Sequence, residues 1–364
     1  MQFAFRAAVS VNESHPLARD LNEILERGID DFNVFRGARI FMTGGTGFVG
    51  TWLMESFAWA NRRLHLKAKL DVLTRDPLAV AATKPHLAAD ESISFIRGDV
   101  RTLRERVGSY DAVVHAATPA AAKLNAEEPL LMIDTVVEGT RKALDFARSN
   151  GAVPFLFTSS GAVYGRQPPE LALLDETYGG GPDPLNPHFA YHESKRLAEQ
   201  LCAIYGGTTE VRPKIGRLFA FIGPHLPLDR HFAIGNFIGD ALSRRPIVIS
   251  GDGTSVRTYL YAADMASWLW RLLVRGEASR AYNVGSEHII SIEEAARSVA
   301  MLADGVVRIE RRETPVAGKA PERYACATVR ARRELGLTEW TPLEEGIRRT
   351  LAWHQAGGAL SDSK

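Results

Sequence analysis

Short apolar runs alternate with longer amphipathic segments over much of the chain. From residue 38 onward, these runs are separated by stretches in which apolar positions recur every three or four residues. Buried strands of a parallel sheet read as nearly continuous apolar runs, so this alternation is typical of βαβ units. It predicts an α/β fold class with a Rossmann-type, doubly wound parallel sheet. The predicted strands are at 39–43, 70–73, 93–96, 112–116 and 155–158, with another near 215–219.

Long helices are predicted between these strands, over 48–60, 129–148 and 190–205. The second is expected to stop at Asn150, because Asn-Gly favours helix termination. The stretch from Gln167 to Pro187 is rich in proline and glycine and predicts a surface loop. On the first helix, one face collects Trp52, Leu53, Ser56, Phe57 and Ala60.

The two ends of the chain differ from its middle. Residues 1–36 precede the sheet pattern and predict an N-terminal extension with one short amphipathic helix, packed on the outside of the main fold. Residues 37–219 predict the Rossmann domain. Residues 220–364 show mixed helices and short strands, which predict a smaller mixed α/β lobe, with the chain returning to the first domain around 256–285.

Composition narrows the class of protein. The 364 residues are 45% hydrophobic, too much for disorder, and no apolar run is long enough to span a membrane. The net charge of +1 gives no basic surplus for binding nucleic acid. Two cysteines exclude a disulfide framework, and the ten histidines show no ligand spacing. We therefore expect a cytoplasmic protein with no metal, no membrane and no nucleic-acid partner.

A glycine-rich turn joins the first predicted strand to the first helix. Glycines recur every third position at Gly44, Gly47 and Gly50. In a dinucleotide site, such glycines allow a tight turn, let a pyrophosphate approach backbone N–H groups, and let helix and strand pack closely. The helix N-terminus, with Phe48 and Val49, then faces the phosphates. An ordinary tight turn is the alternative, but the strand–turn–helix context favours a dinucleotide cofactor.

Two later positions bear on which cofactor is bound. Thr74 stands at the end of the second strand, where NAD-binding proteins usually have an acid, and Arg75 follows it. Arg75 is suited to a 2′-phosphate, so of NAD and NADP we favour NADP; the alternative is that Arg75 stacks on adenine or faces solvent. Asp99 follows the third strand and is interpreted as an acceptor for the adenine amino group, or else as a loop-capping carboxylate.

A tyrosine and a lysine lie one helical turn apart at Tyr191 and Lys195. A phenol with an ordinary pKa near 10 can act as a general base at neutral pH when a nearby cation lowers that pKa. Ser160 ends the preceding strand at the carboxyl edge of the sheet, where α/β folds bind ligands. It is interpreted as the hydroxyl partner of Tyr191, the alternative being a strand-end cap.

Together these motifs resemble the extended short-chain dehydrogenase/reductase family, in particular its nucleotide-sugar epimerases, dehydratases and decarboxylases. The resemblance runs from about Arg39 to Trp353. It rests on TGGTGFVG at 43–50, GDV at 98–100, HAAT at 115–118, SSGAVYG at 159–165, YHESK at 191–195, RLFAFIGP at 217–224, ISGDGTSVRTYLYAADMA at 249–266 and YNVGS at 282–286.

The resemblance implies roles for individual residues. Tyr191 would be the catalytic base, Lys195 would orient the cofactor ribose, and Ser160 would be the hydroxyl partner. It also implies a nucleoside-diphosphate sugar bound by the lobe over 220–364, and a homodimer formed through the helices at 129–148 and 190–205. The further contacts that it implies are Val100, Ala116 and Ala117 for the cofactor, and Thr118, Ser160, Asn236, Arg257 and Arg323 for the substrate.

Departures from the family pattern bear on the reaction. Gly161 and Ala162 stand where dehydratases carry an Asp-Glu pair and decarboxylases a Glu, and Ala220 and Ala327 replace an Asn and an Asp of relatives. We therefore expect an epimerase acting through a 4-keto intermediate. The alternatives are an NADPH-dependent 4-keto-sugar reductase and, less favoured, a 4,6-dehydratase or decarboxylase. A non-catalytic, cofactor-sensing scaffold is the alternative outside enzymes, and the presence of Tyr191 argues against it.

Overall fold

The computed structural model describes residues 15–104, 108–118, 122–229, 232–303, 307–316, 318 and 320–357. The α-helices in these ranges are α1 (Ala18–Asn33), α2 (Phe48–Arg63), α3 (Pro77–Thr83), α4 (Pro85–Ala88), α5 (Ala122–Glu127), α6 (Pro129–Ser149), α7 (Ala190–Thr208), α8 (Ala233–Leu242), α9 (Ala262–Arg275), α10 (Ile292–Leu302), α11 (Val329–Leu335) and α12 (Leu343–Gln355). The strands are β1 (Arg39–Thr43), β2 (Lys69–Thr74), β3 (Ile93–Arg97), β4 (Ala112–His115), β5 (Pro154–Ser160), β6 (Arg212–Leu218), β7 (Ala220–Ile222), β8 (Ile247–Ile249), β9 (Val256–Arg257), β10 (Tyr259–Tyr261), β11 (Arg280–Val284), β12 (Ile290–Ser291), β13 (Ile309–Arg311) and β14 (Arg323–Tyr324).

Seven of these strands form one parallel sheet in the order β11-β6-β5-β4-β1-β2-β3. The order reverses between β1 and β4, which is the switch point where ligands of doubly wound sheets bind. The predicted Rossmann-type fold class is confirmed, and the first six predicted strands are found at their places. Their ends differ by up to three residues. The strand β4 stops at His115, so Ala116 lies beyond it, and β6 runs from Arg212 to Leu218, so Phe219 lies beyond that strand.

Helices cover both faces of the sheet because the strand residues alternate in direction. On β1, Ile40 and Met42 pack with α2 and α9, whereas Phe41 packs with α6 and α7 on the opposite face. The helices predicted over 48–60, 129–148 and 190–205 are therefore confirmed as α2, α6 and α7. No helix in the described ranges has the length and apolar content needed to cross a membrane.

The amphipathic helix predicted near the N-terminus is α1, and it packs against α2 and α9. Its inner face contributes Leu21, Ile24 and Phe32 to the main hydrophobic core. The helix thus lies outside the sheet's own helices, as predicted, but it shares their core rather than resting on the surface. Two acidic side chains, Asp20 and Asp31, are buried with it.

The later part of the chain forms three small sheets beside the main one. They pair β10 with β7, β13 with β8, and β9 with both β12 and β14. The segment from Gln167 to Pro187 is not purely a surface loop, which corrects the prediction. Leu174 is buried and bridges to Cys326, and Gln167 is buried beside it. This packing fixes the chain that follows β14.

Candidate active site at the carboxyl edge of the sheet

The glycine turn between β1 and α2 has the geometry of a phosphate-binding site. Gly44 has φ +74°, and a Cβ there would lie 2.3 Å from the Ala116 carbonyl oxygen. A Cβ on Gly50 would lie 2.3 Å from the Gly44 oxygen, so helix and turn are in close contact. Gly47 is exposed, and its nearest neighbouring atom would be 3.6 Å from a Cβ. The N-terminus of α2 carries no side-chain cap at Gly47, so its N–H groups fit a dinucleotide pyrophosphate.

The ends of β2 and β3 hold the residues expected to select the cofactor. Arg75 is exposed, and the next residue, Asp76, caps α3. Asp99 accepts hydrogen bonds from the backbone N–H and the guanidinium of Arg101, at 2.9 and 3.0 Å on Oδ1. The loop-capping interpretation of Asp99 is therefore confirmed, and its contact with adenine stays a prediction. Arg101 holds the pKa of Asp99 below its ordinary value, against the opposing effect of burial.

The other predicted cofactor residues surround the same turn. The Val100 side chain is buried and would contact a Cβ on Gly139 of α6, so it serves packing and leaves only its backbone for a cofactor. The Ala116 and Ala117 N–H groups donate to the carbonyl and hydroxyl oxygens of Thr43, at 3.1 and 3.3 Å. Phe48 and Val49 begin α2 at the turn. Their contacts with a cofactor stay predictions.

Lys195 is brought to the sheet edge by α7. Its ammonium group is buried and donates to the Thr118 hydroxyl at 2.8 Å and to the Thr158 carbonyl at 2.7 Å. An ammonium group has three donors, so one remains for a ligand such as a ribose hydroxyl. Thr118, predicted to bind substrate, thus contacts Lys195 directly.

Ser160 ends β5 and lies beside the Tyr191 phenol. Its hydroxyl oxygen accepts the Ala162 N–H at 3.1 Å, so the strand-end cap is present. Ser160 also partly opposes the rise in the Tyr191 pKa, so the two side chains lie near each other. The role of Ser160 as the hydroxyl partner of Tyr191 stays a prediction.

Burial dominates the acid–base properties of the Tyr191–Lys195 pair. It raises the pKa of Tyr191, and the hydrogen bond with Ser160 only partly opposes this rise. Burial also lowers the pKa of Lys195 to about 7, although the negative charge of Glu199 opposes this shift. In the protein without its cofactor the pKa of Tyr191 is therefore raised rather than lowered, because both groups are withdrawn from water and the charged form of each is disfavoured. The lowering expected from Lys195 together with a nicotinamide cation stays a prediction.

Asn125 and His115 support this site, and sequence reasoning missed both. The Asn125 amide donates to the His188 carbonyl at 2.7 Å, and its oxygen accepts the Tyr191 N–H at 2.9 Å. It therefore fixes the start of α7. His115 lies 2.7 Å from the Thr43 hydroxyl, and burial lowers its pKa to about 3, so it is neutral. Only the HAAT motif gave a signal for His115, and nothing in the pattern singles out Asn125.

The other predicted substrate residues, Asn236, Arg257 and Arg323, lie on α8, β9 and β14. Arg257 and Arg323 lie on paired parallel strands, where Arg323 is opposite Val256. The Arg323 Nε and the Asn236 Oδ1 are buried without a hydrogen-bond partner. Buried polar atoms normally have partners, so these two fit a polar ligand such as a nucleoside diphosphate.

This geometry agrees with what the chain is similar to. The model of the NAD-dependent epimerase/dehydratase family matches residues 40–285. The chain belongs to this family. UDP-glucuronic acid decarboxylase 2 of Arabidopsis thaliana is 30% identical over 317 residues, covering 86% of this chain and 67% of that relative. UDP-glucuronic acid decarboxylase 1 of Xenopus tropicalis is 28% identical and covers 86% of this chain and 71% of its own.

Solved structures share the fold of this family member. UDP-glucose 4-epimerase of Thermus thermophilus, in complex with NAD, has a TM-score of 0.70 and 24% identity over 87% of this chain and 99% of its own. The dTDP-glucose 4,6-dehydratase DesIV of Streptomyces venezuelae has a TM-score of 0.74 and 22% identity over 89% of this chain and 99% of its own. The protein is thus a nucleotide-sugar-modifying enzyme of the extended short-chain dehydrogenase/reductase class, in a family that is NAD-dependent.

Among the residues that the structure describes, one group of side chains could hold a metal ion, although the sequence predicts no metal. His15, Glu55 and His86 bring potential ligand atoms within 4.8 Å of one another. The His86 Nε2 lies 2.7 Å from a Glu55 oxygen. The His15 Nδ1 accepts the Leu17 N–H at 3.1 Å, so a neutral His15 carries its proton on Nε2, facing Glu55. Hydrogen bonds account for the group, and the absence of a metal stays a prediction.

Proposed function

We propose that the enzyme is a nucleotide-sugar epimerase acting through a 4-keto intermediate. The observation that supports this is the wall beside Ser160, where Gly161 and Ala162 present no carboxylate and the Tyr324 phenol stands instead. Loss of water or carbon dioxide is assisted in relatives by acids at those two positions. Epimerisation needs only reversible removal of hydrogen, for which Ser160, Tyr191 and Lys195 suffice.

The chain's residues act on the hydroxyl that is oxidised. Tyr191 takes the hydroxyl proton as the C–H hydrogen leaves as hydride, and it returns the proton when the carbonyl is reduced on its other face. Ser160 hydrogen-bonds the reacting oxygen. Lys195 offers its remaining N–H to the ribose and, when charged, favours the phenolate. Bound NAD supplies a reversible hydride acceptor at this edge of the sheet.

A decarboxylase is the second candidate. The similarity to UDP-glucuronic acid decarboxylases, at 30% identity, favours it. We test both with UDP-glucose, UDP-N-acetylglucosamine and UDP-glucuronic acid, reading products by NMR and mass. An epimerase gives a product of unchanged mass and inverted configuration. A decarboxylase converts UDP-glucuronic acid to a UDP-pentose and releases carbon dioxide, which would overturn our proposal. A reductase would consume reduced cofactor in stoichiometric amounts.

The choice between NAD and NADP is a proposal of its own. Arg75 is exposed, and position 74 carries a threonine rather than an acid; both observations support NADP. The family, by contrast, is NAD-dependent. Denaturing the purified enzyme and identifying the released nucleotide by chromatography distinguishes them. A tightly held, stoichiometric cofactor also supports a reaction that recycles it.

We also propose that the enzyme is a homodimer that pairs through α6 and α7. These helices pack on each other and leave four apolar side chains exposed: Leu130, Ile133, Leu197 and Ile204. An exposed apolar face of this kind supports a helix-to-helix interface. Light scattering that gives the mass of one chain would contradict it.

A further inference from the structure

Glu199 joins the helix that carries Tyr191 and Lys195 to the two strands beneath it. It lies on α7 one helical turn after Lys195 and two turns after Tyr191, so the three lie along one side of the helix. Its Oε1 accepts the Ser159 hydroxyl at 2.6 Å. Its two oxygens also accept the Arg217 guanidinium in a bidentate contact, at 3.0 Å from Nε to Oε1 and 2.7 Å from Nη2 to Oε2.

The two partners of Glu199 lie directly opposite each other on neighbouring strands. Ser159 of β5 is in register with Arg217 of β6, and both side chains reach α7. Successive side chains of a strand point to opposite faces, so holding Ser159 on the α7 side fixes the direction in which Ser160 leaves the strand. The Arg217 guanidinium also lies over the Tyr164 ring, 4.8 Å from its centroid, which restricts its movement.

The ion pair between Glu199 and Arg217 is buried, and stability alone does not explain it. The two side chains are 12% and 16% exposed. Removing two charges from water offsets much of their attraction, and well-packed apolar side chains are often as stable as such a pair. Bidentate geometry, by contrast, fixes the relative position of the segments that it joins. The pair therefore suits the task of holding α7 in register with the end of β5.

Glu199 also places a negative charge near the Lys195 ammonium group. Three further titratable groups lie around Lys195 in the part of the chain that the structure describes: Tyr191 and Cys202 of α7, and His115 of β4. All three are neutral, because burial raises the pKa of the phenol and of the thiol and lowers the pKa of the imidazole. Burial also lowers the pKa of Lys195 to about 7, and the charge of Glu199 opposes this shift.

We propose that Glu199 is a positioning residue that holds α7 against the end of β5 and sets a negative charge behind the Lys195 ammonium group. The proposal rests on the proposed roles of Tyr191 and Lys195. An ammonium group has three N–H donors and a neutral amine has two. Thr118 and Thr158 take two donors of Lys195, so the third, which is left for the cofactor ribose, exists only in the charged form.

The first test is Glu199→Gln, which keeps the shape of the side chain and removes its charge. The affinities for NADH and for NADPH are measured against pH by the fluorescence of the nucleotide. Loss of the negative charge, with the Arg217 cation left uncompensated, should lower the pKa of Lys195. The pH at which affinity falls should therefore move down by about one unit, with binding about tenfold weaker at alkaline pH and nearly unchanged at acidic pH. The same pH dependence in both enzymes overturns the proposal.

Glu199→Asp is the complementary variant, because it keeps the charge and shortens the side chain by one methylene group. It should leave the pH dependence of cofactor binding nearly unchanged. The kcat with the identified substrate should fall about tenfold at every pH, because small displacements of reacting groups are costly. Ser159→Ala, which leaves the ion pair with Arg217 intact, should give the same pattern with a smaller loss. Wild-type kcat in both variants overturns the positioning role, even if Glu199→Gln does not fold.

Glu23→Gln is the matched control, since Glu23 of α1 also binds an arginine, Arg349, with both oxygens, at 2.8 and 3.0 Å. It should lower the free energy of unfolding and leave both cofactor binding and kcat unchanged. Equal shifts of the binding profile in Glu23→Gln and Glu199→Gln would overturn the proposal, because they would follow from lost stability alone. A Tyr191→Phe variant with wild-type turnover overturns the proposed base instead, and the binding profiles still decide the role of Glu199.

Discussion

Two buried polar clusters in this enzyme satisfy their hydrogen bonds very differently. At the N-terminal side, Asp31 of α1 is paired with two arginines of α9, with Arg271 at 2.8 Å and with Arg275. Asp20 is paired with Arg349, which also reaches Glu23 at 2.8 Å. At the carboxyl edge of the sheet, by contrast, buried groups keep unused donors and acceptors.

This difference distinguishes the residues that stabilise the fold from those that could bind a ligand. Burying a charge is costly unless a partner compensates it, so a fully paired cluster is explained by stability alone. The site has a Lys195 donor to spare, an unpartnered Arg323 Nε and an unpartnered Asn236 oxygen. Buried donors and acceptors without partners do not stabilise the fold. A bound ligand would supply the missing hydrogen bonds.

Tyr191→Phe should have the largest effect on activity and almost none on stability. Removing one hydroxyl from the site should lower turnover about a thousandfold, because general acid–base catalysis contributes on that scale, while the unfolding midpoint in urea hardly changes. The measurement is kcat with the nucleotide sugar that the substrate panel identifies. Tyr205→Phe is the control, since Tyr205 lies on the same helix and bonds Asp145 instead. A Tyr191→Phe enzyme that is unstable but fully active would reverse the assignment.

Asp31→Asn should give the opposite pattern. The side chain is buried, and removing its charge leaves two arginines without their shared partner, so the free energy of unfolding should fall by about 3 kcal/mol. The kcat should stay unchanged. Urea unfolding followed by circular dichroism measures the effect.

Asp30→Asn makes the same chemical change one residue earlier, at an exposed position, and should alter stability little. Equal effects of the two substitutions would show that the paired cluster contributes nothing specific. A loss of kcat in Asp31→Asn, with stability kept, would place α1 in the catalytic apparatus.

Local patterns predicted the parts of this molecule that depend on local interactions. The apolar runs predicted the strands correctly, because strands of a parallel sheet are buried on both faces and are therefore apolar along their length. The glycine turn was recognisable because its glycines serve a single strand–turn–helix unit. A side chain at Gly44 or Gly50 would collide with neighbouring backbone atoms, and Gly47 leaves the turn open to solvent. The Tyr191–Lys195 pair is likewise one helical turn.

The rest depends on pairings between distant segments. Periodicity places Asp31 on a polar position of α1, and nothing local shows that Arg275, 244 residues later, makes its burial possible. Tyr324 lies beside Gly161 only because β14 joins β9 in a register that no motif encodes. The raised pKa of Tyr191 in the protein without its cofactor has a related cause, since burial is a property of the assembled fold.

Glu55 is a buried charge whose surroundings are intermediate between the paired cluster of α1 and the site at the sheet edge. Substitution of its partner His86 should give the smallest change in stability. His86 bonds one Glu55 oxygen, and His225 stays 3.7 Å from it with an unpartnered Nε2. Burial alone would raise the pKa of Glu55, but the hydrogen bonds from His15 and His86 outweigh it and lower that pKa to about 2. The hydrogen bond to Glu55 raises the pKa of His86.

These shifts define a pH window for His86→Gln. The Glu55 contribution is present above its ordinary pKa of 4.5 and is lost as pH falls towards 2. The His86 contribution is present below its ordinary pKa of 6.5 and is lost as pH rises through its raised value. His86→Gln should therefore cost most stability between these two ordinary values, by about 1 kcal/mol, because His86 is half-exposed and solvent screens the pair.

Urea unfolding at several pH values measures this window, with His288→Gln, an exposed histidine, as the control. A stability loss that is independent of pH would mean that His86 contributes packing rather than charge. A loss that is largest at alkaline pH would mean that His86 acts as a neutral donor to Glu55. Either result would make Glu55 resemble the fully paired cluster of α1. The expected window instead makes Glu55 an intermediate case, a buried charge whose partner His86 is charged only in part of the pH range.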